Sequence, residues 1–158
     1  MPAAEDVAVV RRLYAAVAAG DLAAIAECFD EEVVWHLPGT NALSGTHRGW
    51  SAIRDDLLAK QGPLSGGTFR PQLLDLAVGS EYIVAIVHAT AERAGYRLDQ
   101  TVCQLMRVHS GKIVEVGGDY ANEAALNAFW GPAPGTKHGS QIGNLASGSV
   151  ERRSQGTC

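Results

Sequence analysis

Two adjacent segments, EYIVAIVHATAER (81–93) and YRLDQTVCQLMRV (96–108), restrict what this chain can fold into more than anything else in it. Both are long, rich in β-branched residues and free of proline, and Ala-Gly joins them, which predicts two long neighbouring strands. In the first, Ala85, Val87 and Ala89 alternate with Val84, Ile86 and His88, so both faces are largely apolar. A sheet apolar on both faces has to be covered on both. Helices from the same chain can cover one face. The other is left for a partner chain.

The flanking sequence supplies those helices and the rest of the sheet. Val7, Val10, Leu13, Tyr14 and Val17 recur at helical spacing, with Arg11 and Arg12 opposite. Gly20 ends that helix and Asp21 is placed to cap a second one, whose apolar face is Leu22, Ile25 and Phe29. EEVVWHLPG reads as a strand closed by Pro38-Gly39, and GTNALSGTHRG as a loop before a third helix carrying Trp50, Ile53 and Leu57 on one side. TFRPQLLDLAVG and KIVEVGGDY complete four strand-like segments, and Pro71, which has no N–H to donate, puts the first of them at a sheet edge. ANEAALNAFW closes the domain as a short helix with Asn122 as its cap. Helices followed by a meander of strands predict an α+β fold: a conical barrel of strongly curved antiparallel sheet wrapped on N-terminal helices, with a small-molecule pocket at its open end.

At 158 residues, 46% apolar and 19% charged, the chain has material for one core. Residues 131–158 depart from that composition: they hold six of the 18 glycines and carry Lys137, Arg152 and Arg153 against Glu151. They read as a flexible Gly/Ser-rich C-terminal tail, leaving 1–130 as the folded domain. The net charge of −4 argues against a nucleic-acid surface, which needs a basic stripe. No apolar run approaches the roughly 18–20 residues that span a bilayer. The N-terminus lacks a basic n-region, so a cytoplasmic protein is expected, without membrane attachment. Cys28, Cys103 and Cys158 form no CxxC pair, and the histidines at 36, 47, 88, 109 and 138 lack ligand spacing, so no metal is expected. No dinucleotide, phosphate-loop or nucleophile-elbow motif is present, and no cofactor is expected.

In order and spacing, three stretches resemble the nuclear transport factor two-like superfamily, in its SnoaL-like and ketosteroid-isomerase-like branch: AAGDLAAIAECFDEEVVWHLPG, GTHRGWSAIRDDL, and LMRVHSGKIVEVGGDY with the helix ending in AFW. The resemblance covers about residues 4–130. It implies a cystatin-like cone with a deep pocket, usually in a homodimer. Members include isomerases, cyclases, dehydratases, epoxide hydrolases and plain binding modules, so the fold leaves the activity open.

Matched residue by residue, the resemblance empties the steroid-isomerase site. The carboxylate base of those enzymes falls on Leu37, the oxyanion-holding tyrosine on Leu13 with Tyr14 one place along, and the protonated aspartic acid on Gln104. The cyclase-type acid/base aspartate falls on Asn122, and a three-residue slip would make it Asp119. The same matching with strand alternation gives a pocket lining of Trp35, Leu37, Ala85, Val87, Ala89, Val102, Gln104, Met106, Val116, Gly118, Tyr120 and Asn122. That lining suits a small hydrophobic, ring-bearing molecule.

The candidates for catalysis are Asp119, Tyr14 and His36. A carboxylate walled by Trp35 and Tyr120 would be desolvated and suited to proton transfer. Alternation points Asp119 outward unless Gly117-Gly118 hosts a bulge that re-aims it. His36 titrates in the useful range but alternates with Trp35 and Leu37, toward the outer face. Tyr14 either turns its hydroxyl into the pocket or packs its ring between helices. His88 reads as an interface histidine, and His47 and Arg48 as loop residues or rim contacts for an anion. Two functions remain: cofactor-free acid/base chemistry (isomerase, cyclase, dehydratase or epoxide hydrolase type) on a hydrophobic metabolite, or a ligand-binding or dimerisation module without turnover.

Overall fold

Helix α1 (Ala4–Ala19) lays Val9, Val10, Leu13, Tyr14 and Ala16 into the core, following the apolar spacing of its sequence. This is a computed structural model, and it describes residues 4–120 and 122–133, with backbone alone at 119 and 120. Of the tail expected at 131–158, residues 134–158 lie outside the described residues. Asp21 caps α2 (Leu22–Cys28), its carboxylate accepting from the Ala24 N–H at 3.1 Å. Two expectations fail here. Leu22 is exposed, and Phe29 does not continue the helix but opens strand β1 (Phe29–Leu37) with extended backbone. The Phe29 ring is needed one layer over, stacked on Trp50 at 5.6 Å.

The glycine loop also hides a strand. β2 (Gly45–Arg48) pairs antiparallel with β1 from Val34↔Arg48 to Leu37↔Gly45, a four-residue edge too short and polar to signal itself. The third helical run consists of α3 (Trp50–Ala52), a π-helical segment (Ile53–Leu58) and α4 (Ala59–Ser65). Ile53 and Leu57 are fully buried, as their spacing predicts. Pro63 sits inside α4, where it can donate no intrahelical hydrogen bond.

Strands β3 (Arg70–Val78), β4 (Ile83–Arg93), β5 (Tyr96–His109) and β6 (Lys112–Tyr120) follow the predicted meander. The six-stranded sheet runs β2-β1-β6-β5-β4-β3, so β3 is an edge, as Pro71 requires. Ala94-Gly95 and Ser110-Gly111 turn the two hairpins with positive φ at both central residues, the twist that matches right-handed strands. One pair departs from the antiparallel expectation: β1 lies parallel to β6, with Trp35 opposite Val116. The sheet therefore stays open between β2 and β3. Register shifts in β1/β6, β3/β4 and β5/β6 bend it around the helices.

Helix α5 (Glu123–Trp130) closes the fold, capped by Asn122, whose side chain accepts from the Ala125 N–H. Arg93 donates to the Phe129 carbonyl at 2.8 Å, and Phe129 and Trp130 are buried against one another edge to face. Asn127 accepts from both the Thr40 N–H and the buried Asn41 amide, which ties the 38–44 loop to α5. Among the described residues no helix is long and apolar enough to cross a membrane.

Candidate functional site

Strand alternation decides what faces the inside of the curve. Ile83, Ala85, Val87, Ala89 and Ala91 of β4 are all buried, as are Leu98, Val102 and Met106 of β5. From the other half of the sheet come Val33, Trp35 and Leu37 of β1 with Val116 and Gly118 of β6. The predicted lining residues Trp35, Leu37, Val87, Met106 and Val116 thus share one interior with Gln104, which stands in the row of Ala85.

Two polar groups meet in that interior. The Tyr14 hydroxyl, reaching from α1, donates to Oε1 of Gln104 on β5. Tyr14 therefore does both things its sequence position left open: its ring is buried in the core and its hydroxyl turns to the sheet. A third polar atom is close by. Trp35 Nε1–H is buried without an acceptor among the described residues, a situation that costs a fold about 1–3 kcal/mol. Trp35 lies next to Gly118, where a Cβ would stand 3.0 Å from Nε1 and 2.7 Å from Leu37 Cδ2. Only a residue without a side chain fits between them.

The backbone of β6 is irregular at that glycine. Leu105 pairs with Gly117, but Cys103 pairs with Tyr120, so three steps along β6 match two along β5. The extra residue is a β-bulge at Gly118-Asp119, opposite Gln104. It interrupts the simple alternation that put Gly118 and Tyr120 on one face. In backbone register, Gly118 and Asp119 together stand opposite Gln104, and Tyr120 stands opposite Cys103.

The remaining candidates are spoken for elsewhere. His36 is on the outer face, where its Nδ1 hydrogen-bonds Thr46 Oγ1 at 3.1 Å and its Nε2 lies 3.8 Å from Glu115. It does not enter the interior, because it alternates with Trp35 and Leu37. Asn122 is exposed and its side chain is committed to the α5 cap, while its N–H donates to Gln100. His47 donates from Nε2 to the Leu43 carbonyl, and Arg48 is exposed on the β2 edge. His88 forms a 2.7 Å pair with Asp99 outside the sheet, and that hydrogen bond holds the Asp99 carboxyl below its usual range. Cys28 is buried beside α1, and burial pushes its thiol up, so it stays protonated and inert.

Sequence reading missed a surface cleft. A cleft of about 720 Å³ opens between the C-terminal end of α1, α4 and the start of β3, walled by Val17, Leu58, Phe69 and Leu73. Tyr14, whose hydroxyl contacts Gln104, is one of the residues that line it. Its walls come from four separate elements, and no local pattern announces such a meeting.

The SnoaL-like domain model matches residues 10–116 of this chain. An uncharacterized protein of Mycobacterium tuberculosis is 36% identical over 129 residues, which cover 79% of this chain and 95% of the relative. Among solved structures, Bal32a from a soil-derived mobile gene cassette superposes with a TM-score of 0.75 at 33% identity, over 80% of this chain and 97% of its own. TerC, crystallised with polyporic acid, gives a TM-score of 0.71 at 18% identity, over 80% of this chain and 98% of its own, a likeness of fold.

Proposed function

The chain belongs to the SnoaL-like domain family, and on that premise we propose that it is a cofactor-free acid/base enzyme acting on a small hydrophobic, ring-bearing metabolite. Asp119 is the acid or base, and Tyr14 and Gln104 orient the reacting group. The observation that supports this reading is the backbone bulge at Gly118-Asp119, which stands opposite Gln104, the partner of the Tyr14 hydroxyl. A carboxylate is one of the side chains able to serve as general acid or base. The apolar interior and the cleft that Tyr14 helps to line favour a ligand with a ring body. The crystallisation of TerC with polyporic acid gives one ligand met by this fold.

The enzyme works as a homodimer through the outer sheet face. Val84, Ile86 and Leu105 leave a half-buried apolar strip there, and exposed Leu74 extends it. The ion pairs His88–Asp99 and Arg107–Glu115 lie beside this strip.

Proton transfer is read directly by exchange. In D₂O the protein is expected to accelerate loss of the α-protons of 2-tetralone, an enolisable bicyclic ketone, as followed by ¹H NMR. Asp119→Asn should lower that acceleration by about 10²-fold or more while leaving the melting temperature within a few degrees. Acceleration that survives Asp119→Asn removes Asp119 from the mechanism. The second reading, a binding module without turnover, is favoured by Leu37 and Leu13, buried apolar residues at two positions where steroid isomerases carry their machinery. Saturable binding of 2-tetralone with no exchange would establish it.

A further inference from the structure

Among the described residues, one buried polar side-chain atom has no partner, and its surroundings say what would satisfy it. Trp35 is 7% exposed, and its Nε1–H meets no acceptor among the described residues. One side of the indole is closed by the Phe29 ring, 6.0 Å away. Its nitrogen edge lies over Gly118, at the bulge of β6, where the missing side chain lets the edge approach the backbone. Gly118 and Gln104 belong to adjacent strands, about 4.8 Å apart in a sheet. The indole donor and the Tyr14–Gln104 pair therefore border the same small part of an interior whose other described side chains are apolar. A phenyl ring at position 35 would pack against Phe29 and Leu37 without any such cost. The indole N–H is a cost to the empty fold, and a bound acceptor is what would remove it.

We propose that Trp35 is a ligand-recognition residue whose Nε1–H donates to an acceptor oxygen of the bound molecule, so that the site selects rings bearing a carbonyl, enolate or phenolate over bare hydrocarbons. This inference rests on the acid/base reading and names its substrate class. Indole nitrogen is a donor only, so its complement has to be an acceptor. In an interior of low dielectric such a bond strengthens as the oxygen gains negative charge, which is the direction of change when an α-proton leaves a ketone. Bulk hydrophobicity alone would not discriminate between two rings of equal size. A buried donor does, because the hydrocarbon leaves it unpaired.

The test compares 2-tetralone with tetralin, the same bicycle without the oxygen, by ligand-observed NMR titration. Two variants are used: Trp35→Phe, and the protein with 3-benzothienylalanine at position 35, which keeps the indole shape but has no N–H. The ratio of the two dissociation constants should fall about tenfold in both variants, a change of about 1.4 kcal/mol in relative affinity. The benzothienyl protein, which loses only the N–H, should melt at or above the wild type. A ratio unchanged within twofold in the benzothienyl protein overturns the inference. So does a melting temperature lowered by several degrees in that protein, since the N–H would then be bonded within the fold. If both probes bind, the ratio does not move and Asp119→Asn still abolishes exchange, the recognition role fails while the acid/base reading stands. If neither probe binds the wild type, both fail.

Discussion

The two faces of β4 and β5 come from the same residues taken alternately, yet they are different surfaces. Inward, Ile83, Ala85, Val87, Ala89 and Ala91 are almost wholly shielded, and Val102 and Met106 face them from β5. Outward, Val84, Ile86, Cys103 and Leu105 are only half-buried, and the ionic groups stand on this side. Arg107 is among them: its guanidinium is 3.3 Å from Glu115, donates to the Tyr82 hydroxyl at 2.6 Å and lies over that ring. The inner face is satisfied by this chain's own helices. The outer face is apolar enough to want a cover and polar enough at its margins to stay soluble without one. Periodicity alone scores the two faces alike. Only the direction in which the helices pack separates them.

The comparison can be broken most severely from the inside. Met106 is fully buried, so Met106→Ala should cost about 2–5 kcal/mol in chemical denaturation through lost contacts and the cavity left behind. Its neighbour Leu105 faces the other way, and Leu105→Ala in a monomeric background should cost about 1 kcal/mol or less. Equal losses at the two positions would mean that the faces are not distinct. The next largest effect belongs to Ile86→Asp. Placing a carboxylate in the middle of the outer strip should halve the mass seen by sedimentation while leaving the circular dichroism of the fold intact. An unchanged sedimentation profile would remove the outer face as the dimer contact.

The smallest effect sharpens the polar margin. The hydrogen bond from His88 depresses the Asp99 carboxyl, so the pair's contribution is present above the ordinary aspartate range and is lost as pH falls through the depressed value. In His88→Ala the Asp99 carboxyl should titrate closer to the ordinary aspartate value, followed by ¹³C NMR of its side chain. A midpoint that does not move would show that Arg97, 3.4 Å away, holds the carboxylate by itself.

Much of the fold is legible residue by residue, and the misses have physical causes. Asp21 and Asn122 were readable as caps because a cap depends on a few neighbouring residues. Pro71 marked an edge because a missing N–H cannot be paired wherever the strand lies. Phe29 was misread because it satisfies a helical period and a strand start equally, and its ring contact with Trp50, 21 positions away, decided the matter. β2 was missed because its only structural virtue is the β1 edge it pairs with. The inward facing of Trp35, Leu37, Val87, Met106 and Val116 was legible by alternation, which is a local property. The same alternation sets His36 outside, with Thr46 and Glu115.

What the sequence by itself determined is the set of elements, their ends and which residues of each strand share a face, since hydrophobic period, caps and turn residues act over a few positions. What only the tertiary structure decided is how those faces meet. The parallel pairing of β1 with β6, the reach of Tyr14 across to β5 and the approach of the unpartnered Trp35 indole to Gly118 depend on residues 80 to 90 positions apart, and the bulge opposite Gln104 on residues of two different strands. Local propensity carries no information about distant partners. The candidate site consists almost entirely of such meetings, so no local stretch of sequence could have assembled it.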